Sequence, residues 1–157
     1  MANNNKKLRG TSWNTVDAKG RLIIPKRFRD RFADYPGNAD KPLMITYYDG
    51  SLHVYPESLW EKKEEKLLAN ETMVGEYQML IDNFLGQVCE SKIDKQWRVL
   101  IPADLRTQAD ISEDIVIVGL VSYFKVWDKK RYENQKAVFD KQVKSKEYQR
   151  VIQDMGL

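Results

Sequence analysis

The stretch Val16-Asp17-Ala18-Lys19-Gly20-Arg21-Leu22-Ile23-Ile24-Pro25-Lys26-Arg27-Phe28-Arg29 joins a basic tight turn to a short apolar strand. It returns as Ile93-Asp94-Lys95-Gln96-Trp97-Arg98-Val99-Leu100-Ile101-Pro102-Ala103-Asp104-Leu105-Arg106, with Asp17 over Asp94, Arg21 over Arg98, Pro25 over Pro102 and Arg29 over Arg106, a constant offset of 77 residues. Proline has no amide hydrogen for a ladder, so each apolar strand is predicted to stop at its proline. Before the first copy, Thr11 to Val16 is rich in β-branched and aromatic residues, and Asp17 to Gly20 has turn composition, so the reading is strand, turn, strand. After it, Lys26 to Phe32 predicts a short helix or turn, and residues 34–42, with two prolines and a glycine, predict a loop.

Each copy is followed by a hairpin. Leu43 to Tyr48 and Ser51 to Tyr55 flank Asp49-Gly50, a dipeptide that favours the turns matching strand twist. In the second copy, Ile115 to Leu120 is expected to pair with Tyr123 to Trp127, and Val54 matches Val126 at an offset of 72, the longer loop at 34–42 absorbing the difference. Between the copies, Ser58-Leu59-Trp60-Glu61 reads as a capping box starting a helix that runs to about Leu68. Met73, Tyr77, Leu80, Ile81 and Phe84 recur at helical spacing before Gly86 and predict a second helix with an apolar stripe for the core or a subunit contact. Beyond Asp128, a charged helix carries Tyr132, Phe139 and Val143, and Tyr148, Val151, Ile152 and Met155 suggest another. Repeated strand sets leave edges that each could cover for the other, so the expected fold is α+β, mainly β, a pseudo-twofold barrel of two repeats with flanking helices. The two turns then fall close together on one side of that barrel.

Composition narrows the function. At 157 residues, 42% hydrophobic and 31% charged, the chain suits about one domain, and no apolar run approaches the ~20 residues a bilayer needs. The polar start, Met1 to Lys7, lacks a secretory signal and reads as a tail, so a cytoplasmic location is expected. The single cysteine, Cys89, excludes an intrachain disulfide and multi-cysteine zinc sites. The single histidine, His53, alternates with Leu52 and Val54, which predicts a place on the strand's surface. No phosphate loop, metal-ligand cluster or nucleophile motif is present, so neither a cofactor nor an enzymatic activity is expected. Residues 1–33 hold nine Lys and Arg against two Asp, while the whole chain carries only +3. A positive patch on a nearly balanced body suits a polyanion.

The pair Asp17-Ala18-Lys19-Gly20-Arg21 with Ile24-Pro25 and Asp94-Lys95-Gln96-Trp97-Arg98 with Ile101-Pro102, together with Arg9-Gly10, Val118-Gly119 and Val126-Trp127-Asp128, resembles the MraZ family from about residue 9 to 130. The resemblance implies two SpoVT-AbrB-type, swapped-hairpin repeats, at 11–58 and 87–130, followed by a helical extension at 131–157. It also implies a sequence-specific transcriptional regulator of a cell-division and cell-wall gene cluster, bound to double-stranded DNA at repeated operator sites, assembled as a ring-like homo-oligomer and associated with the nucleoid. Carried over by position, Lys19, Arg21, Lys95 and Arg98 are the expected DNA contacts, and Asp17, Gly20 and Asp94 organise the turns. The competing expectation is an AbrB-like antitoxin whose main partner is a toxin. Trp97 stands where the first turn has Gly20. A Cβ and an indole disfavour positive φ, so the second turn is expected to differ in shape and Arg21 to outrank Arg98 as a reader.

Overall fold

Pro25 and Pro102 each end a strand of three residues, β2 (Arg21–Ile23) and β6 (Arg98–Leu100), and these two pair antiparallel as a separate two-stranded sheet, with a further bridge from Val99 to Ile93. The computed structural model describes residues 6–69 and 75–157; the asparagine run of the expected N-terminal tail and Met73 of the expected apolar stripe lie outside the described residues. The other strands are β1 (Leu8–Thr15), β3 (Leu43–Tyr48), β4 (Ser51–Pro56), β5 (Cys89–Ser91), β7 (Asp114–Val121) and β8 (Phe124–Asp128). They form one antiparallel sheet in the order β1-β7-β8-β4-β3-β5. Among the described residues, eight strands are thus divided between a six-stranded and a two-stranded sheet, joined by five α-helices and a 3-10 turn at Lys26–Phe28. The expected closed barrel is not found among the described residues, because β2 and β6 are too short to carry the ladder round to the sheet edges.

The register expresses the repeat. Leu22 lies opposite Val99, its own counterpart at the offset of 77, and His53 lies opposite Lys125, its counterpart at 72. Leu43 opposite Ser91 is mirrored by Ile115 opposite Asn14. Exchanging the two halves therefore maps the ladders onto one another. The first strand does not pair with β2 across its own turn, as strand-turn-strand reading suggested; it pairs along its full length with β7 of the other half. Gly119 permits this close approach, since a Cβ there would lie 2.7 Å from the carbonyl of Leu8.

Leu22 and Val99 turn inward and, with Phe28, Phe32, Leu105, Ile45, Leu52, Ile117 and Val126, form one buried core between the short ladder and one face of the large sheet. Fully burying such a side chain contributes ~1.5–3 kcal/mol, so the inner face of β2 and β6 is what fixes the ladder to the sheet. Both hairpins occur as expected, with Asp49 (φ +50) and Gly50 (φ +91) forming the first tip.

Helices α1 (Glu57–Leu68) and α2 (Glu76–Gly86) cover the opposite face of β3 and β4. The expected capping box is absent. Pro56 occupies the N-cap with no side-chain bond, the helix begins at Glu57, and Ser58 is already inside it. This covering also overturns the surface placement of His53, which is 5% exposed beneath Tyr48, Tyr55 and Tyr123. A strand buried on both faces hides its alternation. Short α3 (Ala103–Gln108) follows Pro102. At the C-terminal end, Asp128 accepts from the Lys130 and Arg131 amides to cap α4 (Lys129–Gln142), and Ser145 caps α5 (Lys146–Asp154). Arg131 ties α4 to the body by donating to the Tyr47 hydroxyl, the Gly50 and Gln108 carbonyls and the Asp110 carboxylate.

Candidate nucleic-acid interface

Each turn is built on its aspartate. Asp17 Oδ1 accepts from the amides of Lys19 and Arg21, both at 2.9 Å, while Oδ2 accepts from Arg21 Nε at 2.8 Å. The backbone closes the turn through Gly20 N–H to the Asp17 carbonyl and Asp17 N–H to the Arg21 carbonyl, each at 2.9 Å. The second turn repeats every one of these bonds. Asp94 Oδ1 accepts from Gln96 (2.8 Å) and Arg98 (2.9 Å), Oδ2 from Arg98 Nε (2.7 Å), and Trp97 N–H and Asp94 N–H close the backbone at 3.0 and 2.9 Å.

The expected difference in shape is therefore corrected: Trp97 adopts φ +65 and takes the place of Gly20 at φ +85. A left-handed non-glycine residue costs roughly 1–2 kcal/mol. The Arg29 guanidinium lies 5.3 Å from the Trp97 ring centroid, an arrangement worth ~0.5–1 kcal/mol at an exposed site, and the half-buried indole packs on the core as well. In the first turn the equivalent Arg106 lies directly over Gly20, where an added Cβ would come within 2.5 Å of its Cζ. Arg29 and Arg106 are positioned alike, their Nε atoms donating to the Ile24 and Ile101 carbonyls at 3.1 and 3.0 Å. Each turn thus carries an arginine from the other half of the chain. Sequence reading aligned Arg29 with Arg106 without counting them in the site; their equivalent spacing after the two prolines was the available signal.

The ladder links the turns directly, with Ile24 N–H donating to the Trp97 carbonyl (2.8 Å) and Ile101 N–H to the Gly20 carbonyl (2.9 Å). Because β2 and β6 run antiparallel, the turns stand at opposite ends of three residue pairs. Lys19, Arg21, Lys95 and Arg98 are brought into one region, and Asp17, Gly20 and Asp94 form its framework. Lys19 and Lys95 are both exposed, and the stem of Lys95 lies along Gly37 of the 34–42 loop.

An ion pair this exposed contributes little stability, ~0–1 kcal/mol, so the Asp–Arg contacts act on orientation. They occupy each Nε and leave the terminal nitrogens of Arg21 and Arg98 for other acceptors, although Arg98 Nη2 also reaches Gln96 Oε1 at 3.2 Å. The Asp17 carboxyl is held below its ordinary pKa first by the Arg21 amide and then by its guanidinium and the Lys19 amide, against some burial. For Asp94, burial raises the pKa, but the Arg98 amide and guanidinium and the Gln96 amide outweigh it and the net direction is again down. Both carboxylates stay charged at neutral pH, and the arginines stay oriented.

Among the described residues, no three His, Cys, Asp or Glu side chains form a metal site, and no helix is long and apolar enough to cross a membrane. The family model described as MraZ protein, antitoxin-like, matches residues 8–82 and 84–155. The chain is 36% identical over 149 residues to the transcriptional regulator MraZ of Desulfosudis oleivorans, covering 95% of this chain and 99% of that protein. It is 33% identical over 150 residues to the transcriptional regulator MraZ of Desulforapulum autotrophicum, with the same coverage, and 37% identical over 120 residues to that of Lachnoclostridium phytofermentans, covering 76% of this chain and 79% of the relative. Two equivalent Asp–Arg turns, a family match in both halves and relatives aligned over nearly their whole length agree: the chain belongs to the MraZ family.

Proposed function

We propose that this protein is a sequence-specific DNA-binding transcriptional regulator that reads double-stranded DNA with the outward face of the β2-β6 ladder and its two turns. The observation that carries this reading is the bond-for-bond equivalence of the turns at Asp17–Arg21 and Asp94–Arg98. A two-stranded ribbon fits the major groove, and the free terminal nitrogens of an arginine match guanine O6 and N7. Lys19 and Lys95 supply phosphate contacts, and the basic N-terminal third of the chain adds attraction. The repeats at 11–58 and 87–130 act as a swapped-hairpin, AbrB-like unit, with 131–157 as its extension. In this reading the protein needs no cofactor and catalyses no reaction. It works in the cytoplasm on the nucleoid, assembles as a ring-like homo-oligomer and engages repeated operator sites near a cell-division and cell-wall gene cluster.

Anisotropy titration of a labelled duplex from the region upstream of its own gene tests the reading. Arg21→Ala and Arg98→Ala should weaken specific binding to the same extent, by ~1–3 kcal/mol per contact and per subunit engaged. Lys19→Ala should flatten the dependence of affinity on salt by roughly 0.9 per lost phosphate contact while leaving sequence preference intact. A tandem operator should bind ~10²–10⁴-fold more tightly than a single repeat. Equal affinity for this duplex and a scrambled one would refute the reading. The antitoxin-like description of the family supports one other possibility, and a toxin that co-purifies in equal amount and abolishes DNA binding would favour it.

A further inference from the structure

Alternation along the short ladder sends Leu22 and Val99 into the core and leaves Arg21, Ile23, Arg98 and Leu100 on the outward face. Ile23 is 49% exposed and Leu100 is 48% exposed. They are counterparts at the 77-residue offset, so both halves present an apolar side chain two residues after the turn arginine. Across the ladder, Leu100 stands opposite Arg21 and Ile23 opposite Arg98. Directly opposed side chains in an antiparallel pair have Cβ atoms about 4.5–5.5 Å apart, between one and two of the steps of roughly 3.4 Å that separate neighbouring bases. A surface ladder with no partner would gain solubility from threonine or lysine at these two positions. Apolar side chains there, Leu100 opposite Arg21 and Ile23 opposite Arg98, whose Nη2 also reaches Gln96, match a different chemistry: in the major groove, only thymine carries a C5-methyl group, and it lies alongside the acceptors of a neighbouring guanine.

We propose that Ile23 and Leu100 are specificity-determining residues that contact the C5-methyl of a thymine next to the guanine approached by the arginine opposite each of them. The proposal rests on the DNA-reading function above and adds a second class of base contact to it.

The test removes the methyl group from the DNA. A duplex is selected from a random pool by the full-length wild-type protein, each thymine is replaced singly by deoxyuridine, and binding is followed by anisotropy at one salt concentration. Wild type should lose about fourfold in affinity for each methyl contact removed at a thymine adjoining a guanine, the effect of one buried methyl-sized group. Ile23→Ala with Leu100→Ala should bind the thymine and uracil duplexes equally, with an unchanged melting temperature because both side chains are exposed. The proposal is overturned if no uracil replacement weakens wild-type binding, or if the double variant keeps the full preference for thymine. The uracil series requires no variant to fold. A pool that yields no consensus would defeat the DNA-reading function together with this proposal, whereas a consensus indifferent to the methyl group would defeat this proposal alone.

Discussion

His53 should make the protein's stability fall in mild acid, and the effect can be worked from its surroundings. Its ring stacks on Tyr123 at 5.6 Å, meets Tyr48 edge-on at 5.5 Å and places Nδ1 3.2 Å from the Tyr55 hydroxyl, while Nε2 has no partner among the described residues. Burial first, then the charges of Lys125 and Lys63, push its pKa down from 6.5 to about 4. The folded protein therefore holds His53 neutral where the unfolded chain takes up a proton. Between those two values the unfolded state binds more protons, so stability drops as pH falls from about 6.5 towards 4. At 1.36 kcal/mol per unit, the whole shift is worth at most about 3 kcal/mol, and roughly 2 kcal/mol of it should be lost between about pH 7 and pH 4.5. His53→Phe fills the same space among the tyrosines with nothing to titrate. Urea unfolding followed by circular dichroism, at both pH values and on both proteins, isolates the histidine, because the depressed carboxylates Asp17, Asp34 and Asp94 are common to the pair. A stability difference between wild type and His53→Phe that stays constant across this window would show that His53 is not the group that titrates on unfolding.

Three further outcomes are expected. Gly119→Ala should destabilise the protein by ~1–3 kcal/mol, because the new Cβ would press on the Leu8 backbone and part β1 from β7; an unchanged thermal midpoint would contradict this. Asp17→Asn and Asp94→Asn should each leave stability almost unchanged, because exposed ion pairs contribute little, yet weaken DNA binding several-fold, since they release an arginine rather than a core contact. Calorimetry and anisotropy on the same samples separate the two effects. Asp128→Ala should cost about 1 kcal/mol by leaving the Lys130 and Arg131 amides without their acceptor, read as a lower melting temperature with frayed helix α4.

The elements whose geometry is set locally were legible in the sequence. Asp49-Gly50 marked a hairpin because both residues tolerate positive φ, and the two Asp-x-x-x-Arg segments marked turns because the aspartate bonds within five residues of itself. The offset of 77 residues even aligned the two residues, Leu22 and Val99, that face each other at the centre of the ladder. What depended on distant chain was hidden. His53 was assigned to the surface because its far face is covered by α1 and α2, which alternation within β4 cannot reveal. The capping box failed because Pro56, already at the required φ of −58, starts the helix two residues earlier than Ser58 could. Trp97 was expected to deform its turn, but Arg29, some seventy residues away in the chain, supplies the stacking that helps hold it in the left-handed conformation.

The crossing of strands between the two halves also decides when the protein can fold. Of the six ladders among the described residues, β1·β7, β2·β6, β3·β5 and β4·β8 join one half to the other, and the two hairpins close within a half. During synthesis the first half therefore leaves the ribosome with its β3-β4 hairpin able to form, while β1 waits for β7 and the Asp17 turn waits for the strand that will anchor it. The β2-β6 ladder and the two turns it joins therefore need both halves of the chain. A message broken before β8 is complete leaves β4, and in shorter products β1 as well, without its partner strand in the other half, so the product lacks ladders that hold the two halves together.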